Sequence, residues 1–421
     1  MFRVDQLPSG LRIATAEMPG MESVSVGVWV GVGGRFETAR HSGIAHFIEH
    51  LLFKGTARRT ARQISQEVEG IGGYVNAFTG EENTCYYAKA SHRHFGILLD
   101  VLADIYLHPK FAAGDVTKER GIIKEELLMY RDQPDHYVHE LLTETLWPDQ
   151  PLGRPLTGTV ESLDRMDRDT LRTFKQSKYV AGNTIIAVAG RCRHEEVVAQ
   201  VSKAFAATPT GRRPQFVPVQ EPQRAPRLRF LTKEIEQTHL ALAVRSYSRH
   251  HPQRYAAKLL SVVLGENMSS RLFQVIRERH GLAYSIHSSG SFFADTGVFT
   301  VGAGLEPKRL PRALRIILGE LTKIAQRRPS AGELRRAKDY AVGQMRLGLE
   351  SSSNQMMWLG EHLLAYGTIP SSDEVERRIE SVTADEVQAV AADLFRDQRL
   401  NAAIITPSRD EQAVRELLTF A

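Results

Sequence analysis

The stretch His41–Thr56, HSGIAHFIEHLLFKGT, decides how this chain is read. Ser42 and Gly43 are placed to begin a helix, and Gly55 to end it just after Lys54. Ile44, Phe47, Ile48 and Leu51 recur at helical spacing on one face, while His46, Glu49, His50 and Phe53 share another. Residues four apart stand one turn apart on the same face, so the two imidazoles can point at a common metal ion with Glu49 beside them. The second half of the chain holds YAAKLLSVVLGE from Tyr255, and an offset of 210 lays it on the helix from Ala45. His46, Glu49 and His50 then fall on Ala256, Leu259 and Leu260. The apolar framework repeats; the polar trio does not.

The repeat extends outward from that helix. VSVGVWVGV from Val24 and THLALAVRSY from Thr238 both read as strands after which helix-rich stretches follow. Ala113-Gly114 matches Ala331-Gly332 at an offset of 218, and the same offset carries NTIIAVAG from Asn183 onto NAAIITP from Asn401. Between the halves lies ATPTGRRPQFVPVQEPQRAPRLRF, from Ala207 to Phe230, whose prolines and lack of periodicity mark an interdomain linker. The expected fold is α+β, with two duplicated domains in which helices pack on a mixed sheet. Their expected spans are 1–207 and 227–421, joined by a linker over 208–226.

Composition excludes several classes of function. With 421 residues, 42% apolar and 24% charged, the chain has ample material for two soluble cores. A net charge of +5 and the lack of a dense basic run interleaved with aromatics argue against nucleic acid as a partner. No stretch reaches the ~18 apolar residues of a membrane span, and MFRVDQLPSGLRI is not built like a secretion signal, so the cytoplasm is the expected location. Cys85 and Cys192 stand alone, so a metal site must be built on histidine and carboxylate.

Zinc held by three protein ligands keeps a position for water and lowers its pKa to about 7. A carboxylate outside the ligand set can then move the proton, a role open to Glu49. The spacing H-x-x-E-H is that of the inverzincin peptidases. Two histidines on one helix face are more often ordinary packing or surface residues, and His92 with His94 and His136 with His139 are read that way. His46 and His50 differ because their polarity is lost in the second copy. A later helix-like stretch, TKERGIIKEELLMY from Thr117, puts Glu119 and Glu126 on one face, and the 218 offset turns them into Ala337 and Gln344. The acidic pair disappears together with the histidines, which makes it a source of a third ligand.

With these motifs the chain resembles, over nearly its whole length, the pitrilysin family of zinc metallopeptidases, in the branch of the mitochondrial processing peptidases and their bacterial homologues. The resemblance implies a clamshell of two homologous domains and one zinc ion per chain, held by His46, His50 and Glu126. It implies Glu49 as the catalytic base and Glu119 as an acidic support behind the ligands. GGYVNAFTGEENTCYYA is similar to the strand pair whose edge receives substrate as an added strand, which makes Asn76, Ala77, Phe78 and Thr79 substrate contacts. SSRLFQVIRERHGLAYSIHSS resembles the stretch that supplies an arginine and a tyrosine to the closed site, here Arg277 and Tyr284. Read without the family, the four residues from Asn76 fit an ordinary strand edge equally well, and Arg277 and Tyr284 read as surface or packing residues. Glu140 matches an acidic position that the processing peptidases use near basic residues of their substrates, but His136 stands where the resemblance implies a second carboxylate, which argues against presequence-like, arginine-directed specificity.

The resemblance therefore implies a zinc metalloendopeptidase acting on peptides or unfolded polypeptide segments, paired as a homodimer or with a related chain. The alternative is a noncatalytic structural or partner subunit of a processing-type peptidase. Such subunits typically have eroded ligand sets, and this one is complete.

Overall fold

A computed structural model describes residues 2–420. Its eleven strands form two sheets. The first contains β1 (Phe2–Gln6), β2 (Arg12–Glu17), β3 (Ser23–Val30), β4 (Tyr74–Thr79), β5 (Thr84–Ser91) and β6 (Thr184–Gly190), in the order β1-β2-β6-β3-β5-β4. The second contains β7 (Arg227–Thr232), β8 (Thr238–Ser246), β9 (Ala283–Phe292), β10 (Gly297–Leu305) and β11 (Leu400–Thr406), in the order β7-β11-β8-β10-β9. Without β1 the two orders are the same, and so are the directions. β2 runs parallel to β6 as β7 does to β11, and every other neighbour in both sheets is antiparallel. The duplication inferred from short sequence words is thus a duplication of topology.

In the first sheet β3 and β6 lie between other strands and are almost wholly buried, as their unbroken apolar runs require. One face is covered by α1 (Ile44–Leu52), α2 (Ala61–Glu69) and α3 (Phe95–Leu107), whose Phe47, Ile48, Ile64, Leu98 and Leu102 join Val26, Val28 and Ile186 in one core. Further along lie the long α4 (Ala113–Arg131) and then α5 (Pro134–Leu146).

The compact units are not the contiguous spans expected from sequence. The first unit comprises 2–128, Arg154–Val217 and Arg346–Ser371; the second comprises Met129–Gly153, 218–345 and 372–420. Two helices account for the exchange. In the first unit the helix Ser352–Tyr366 covers the remaining face of the sheet, with Met356, Leu359 and Leu363 packed on Trp29, Ile185 and Ala187. In the second unit α5 does the same for the other sheet, setting Val138, Leu141 and Leu142 against Ala241, Ala403 and Ile405. An offset of 218 carries Pro134 onto Ser352, so the two are the same helix in the two copies. Each sheet is apolar on both sides, and each second side is closed by a helix from the other half of the sequence. Burial of one such leucine or valine contributes ~1.5–3 kcal/mol, which makes a single amphipathic helix an adequate cover.

The proline-rich passage is also more than a spacer. Ala181 N–H donates to Pro209 O and the Arg35 guanidinium lies over the Phe216 ring in the first unit, while Gln220 exchanges hydrogen bonds with Gln150 in the second. The expected 208–226 linker therefore divides near Val217, each part packed on its own unit. Among the described residues no helix is long and apolar enough to cross a membrane.

Candidate metal centre

The candidate metal centre is built on α1, which begins at Ile44 rather than at Ser42. Gly43 precedes it in the left-handed region at φ 90°, and a Cβ there would come within 2.7 Å of Thr157 O, so only glycine fits. With no side-chain cap at this position, the free N–H groups of Gly43 and Ala45 go instead to Glu37, at 2.7 and 2.8 Å. Full burial pushes the Glu37 carboxyl up to about 8, against the pull of those two N–H groups and of Arg154.

From that anchored end, α1 buries Phe47, Ile48 and Leu51 and turns His46, Glu49 and His50 to its half-buried side. The two imidazole rings lie 4.6 Å apart between centroids. α4 brings Glu126 opposite them, its Oε2 3.8 Å from His46 Nε2 and 3.6 Å from His50 Nε2. α4 is held in turn by Arg120, which donates to the carbonyls of Leu163 and Met166 at 3.1 and 2.7 Å. Among the described residues, His46, His50 and Glu126 are the group of three whose ligand atoms all lie within 4.8 Å of one another.

The donor set fits zinc. Tetrahedral ligands at ~2.0–2.1 Å from the ion stand about 3.3 Å from each other, close to the spacings seen. His46 gives the second indication. Among the described residues its buried Nδ1 has no hydrogen-bond partner, and its Nε2 lies too far from Glu126 for a hydrogen bond. Buried polar groups nearly always find partners, so an imidazole bonded at neither nitrogen is shaped for a ligand from outside the chain. Burial, and then the neighbouring His50, hold His46 down at about 4, so at neutral pH its ring keeps a lone pair to offer.

Glu119 lies behind the ligands, 1% exposed, with Oε2 3.3 Å from His50 Nδ1 and Oε1 2.9 Å from Lys54 Nζ. A proton on His50 Nδ1 donated to that carboxylate leaves Nε2 free to face Glu126. The residues alone left the two acids side by side, and the resemblance implied a different place for each; the structure sets Glu126 among the candidate ligand atoms and Glu119 behind a ring. Lys54 escaped the sequence reading, although its place four residues after His50 was a signal. Glu49 stays out of the ligand group, and its Oε2 accepts a 2.5 Å hydrogen bond from Thr79 Oγ1. Burial raises the Glu49 carboxyl, with Glu126 adding to the rise and Thr79 and His50 opposing it.

Asn76, Ala77, Phe78 and Thr79 lie on β4, the outer strand of the first sheet. Asn76 turns its side-chain oxygen to the Ala77 N–H at 2.8 Å, and Phe78 meets Trp29 edge-on at 5.6 Å. Arg277, Tyr284 and Glu140 belong to the second unit. Arg277 sits in a π-helical turn, Phe273–Arg279, with its guanidinium 5.6 Å from the Tyr284 ring, and Tyr284 is exposed on edge strand β9. Glu140 is half-buried on α5, where burial and then Glu144 raise its carboxyl and Arg131 opposes. The counterparts of the metal site are apolar or remote from such a role, as their residue types require: Ala256, Leu259, Leu260 and Ala337 are buried and Gln344 is exposed.

Comparison with known proteins agrees with this division between the halves. Residues 12–160 match the model of the insulinase family, peptidase family M16, and residues 165–340 match that of the peptidase M16 inactive domain. A Mycobacterium tuberculosis protein named an uncharacterized zinc protease is 39% identical over 416 residues, covering 98% of this chain and 94% of its own. A Bacillus subtilis protein of the same description, YmxG, is 36% identical over 400 residues, or 95% and 97% of the two chains. The crystal structure of a protease from Helicobacter pylori superposes with a TM-score of 0.91 over 97% of this chain and 99% of that one, at 22% identity, which speaks to the fold. A match that takes in both halves, at this identity and coverage, makes the chain a member of peptidase family M16, the insulinase family.

Proposed function

We propose that this protein is a zinc-dependent endopeptidase that cleaves peptides or unfolded polypeptide segments. The observation that carries the reading is the convergence of His46, His50 and Glu126 within 4.8 Å of one another, with a carboxylate, Glu49, beside them but outside the set. When bound there, zinc supplies a Lewis acid that polarises a peptide carbonyl and makes hydroxide available near neutral pH.

The chain's own residues do the rest. Glu49 takes the proton from the attacking water and returns it to the leaving nitrogen, a two-way transfer suited to a carboxyl that burial has raised. Glu119 fixes the orientation of His50, and Lys54 balances the buried charge of Glu119. β4 offers an unpaired strand edge, on which backbone pairing would hold an extended substrate with little regard for its sequence.

The test is cleavage of a mixed library of unstructured peptides, read by mass spectrometry, with wild type and Glu49→Gln at equal zinc occupancy. Cleavage by wild type and its loss in the variant by ~10²–10⁴-fold support the reading. A zinc-loaded wild type that cuts nothing, alone or mixed with related chains of the same cell, overturns it and leaves a noncatalytic partner subunit.

A further inference from the structure

Glu49 lies between His46 and His50 in sequence and shares their side of α1, so its flexible side chain has the ligand set within its range. The side chain that meets its carboxylate is on another element. Along β4 the side chains alternate: Val75 and Ala77 pack on the core that includes α1, while Phe78 meets Trp29 on the opposite face. Thr79 shares the face of Val75 and Ala77, and its hydroxyl donates to Glu49 Oε2 at 2.5 Å. A register slip of one residue would turn it away.

Thr79 is itself immobilised. It pairs with Thr84 at the closed end of the β4–β5 hairpin, where Gly80 N–H donates to Asn83 O and Thr84 Oγ1 donates to Val32 O. The turn is tied to the loop before α1 by Gly34 N–H to Gly80 O and Arg35 N–H to Glu81 O, and by the buried Arg35–Glu82 ion pair at 2.6 Å. A residue held by backbone bonds on both sides can orient a flexible carboxylate; the reverse is not available.

We propose that Thr79 is the positioning residue of Glu49: its hydroxyl holds the carboxylate in the orientation of a base and keeps it out of the metal's ligand set. The activity part of this inference rests on the peptidase reading above. It also assigns Thr79 a task different from the substrate contact expected from sequence.

The experiment compares Thr79→Val, which keeps the branched shape without the donor, with Thr79→Ser, which keeps the donor. A hydrogen bond to a charged group corresponds to about tenfold or more in rate, so Val should lower kcat by that factor with KM unchanged, and Ser should restore most of it. Zinc affinity of the metal-depleted proteins is measured in the same series, also with Glu49→Gln. A freed Glu49 joins the ligands, so Thr79→Val should bind zinc more tightly when Glu49 is present and no differently when Gln replaces it. Equal loss of kcat in Val and Ser, or weaker zinc binding by Thr79→Val in both backgrounds, means a merely structural residue and overturns the proposal. If wild type cleaves no peptide, the peptidase reading fails, and the zinc series alone decides. Tightening that depends on Glu49 upholds the role of Thr79, and no tightening refutes it.

Discussion

Replacing Glu119 by Gln changes one charge in a buried place and almost no volume, so its consequence can be worked through. Glu119 is 1% exposed and faces two donors, His50 Nδ1 at 3.3 Å and Lys54 Nζ at 2.9 Å. The carboxylate accepts from His50 Nδ1 and pairs as an ion with the Lys54 ammonium. A carboxamide has one oxygen and one NH₂ group, so it can accept from His50 or from Lys54 but must turn N–H toward the other. Either His50 loses the partner that keeps its proton on Nδ1, or Lys54 is left facing a donor. In both cases His50 is a poorer ligand, since its basicity no longer draws on a carboxylate behind it. Loss of such a support costs 10–100-fold in metal affinity, or about 1.4–2.7 kcal/mol at ~1.36 kcal/mol per factor of ten. The assay is competition for zinc between metal-depleted protein and a chromophoric chelator at neutral pH, with circular dichroism confirming an intact fold. A folded Glu119→Gln that binds zinc as tightly as wild type would refute the reasoning, because His50 would then be oriented by packing alone.

Other consequences are open to simpler measurements. Zinc added to metal-depleted protein should raise the unfolding temperature of the wild type and not of His46→Ala, since only a ligand of the native state stabilises it. Gly43→Ala places a Cβ 2.7 Å from Thr157 O at a left-handed φ, and should cost on the order of 2–4 kcal/mol, read as a lower melting temperature; an unchanged midpoint would count against the described turn. In the second unit, burial alone would raise Glu333, but hydrogen bonds from Arg271 and Ser330 outweigh it and bring it down to about 2. Its folded pKa thus lies below its usual 4.5, so the stability it contributes is complete above that value and is lost as pH falls toward 2. Partial exposure limits the contribution to about 1 kcal/mol, so Glu333→Gln should lower the urea midpoint at pH 7 and differ progressively less from wild type below about pH 4.

Much was legible in the sequence where the information is local. H-x-x-E-H at helical spacing places His46 and His50 on one side of α1 whatever the rest of the chain does, because i and i+4 are neighbours on any α-helix. The repeated strand and helix words carried the duplication, since each half must bury the same apolar faces to make the same sheet. The replacement of His46, Glu49 and His50 by Ala256, Leu259 and Leu260 also marked which half carries the candidate ligands, because a helix position buried in a core cannot keep an unpaired imidazole or carboxylate.

What only the tertiary structure decided depends on contacts between distant segments. Glu119 and Glu126 share a helix face and look alike in sequence; the placement of α4 against α1 makes one face two Nε2 atoms and the other an Nδ1. The exchange of α5 and the helix Ser352–Tyr366 could not be read from amphipathic patterns, which show that a face must be covered without showing by what. The same holds for Glu37 capping a helix six residues ahead through a loop, and for Thr79 meeting Glu49 across a strand register. Spacing along one element determines which side chains share a direction. The closure of loops over tens of residues, and the packing that rewards it, determines which of those directions converge.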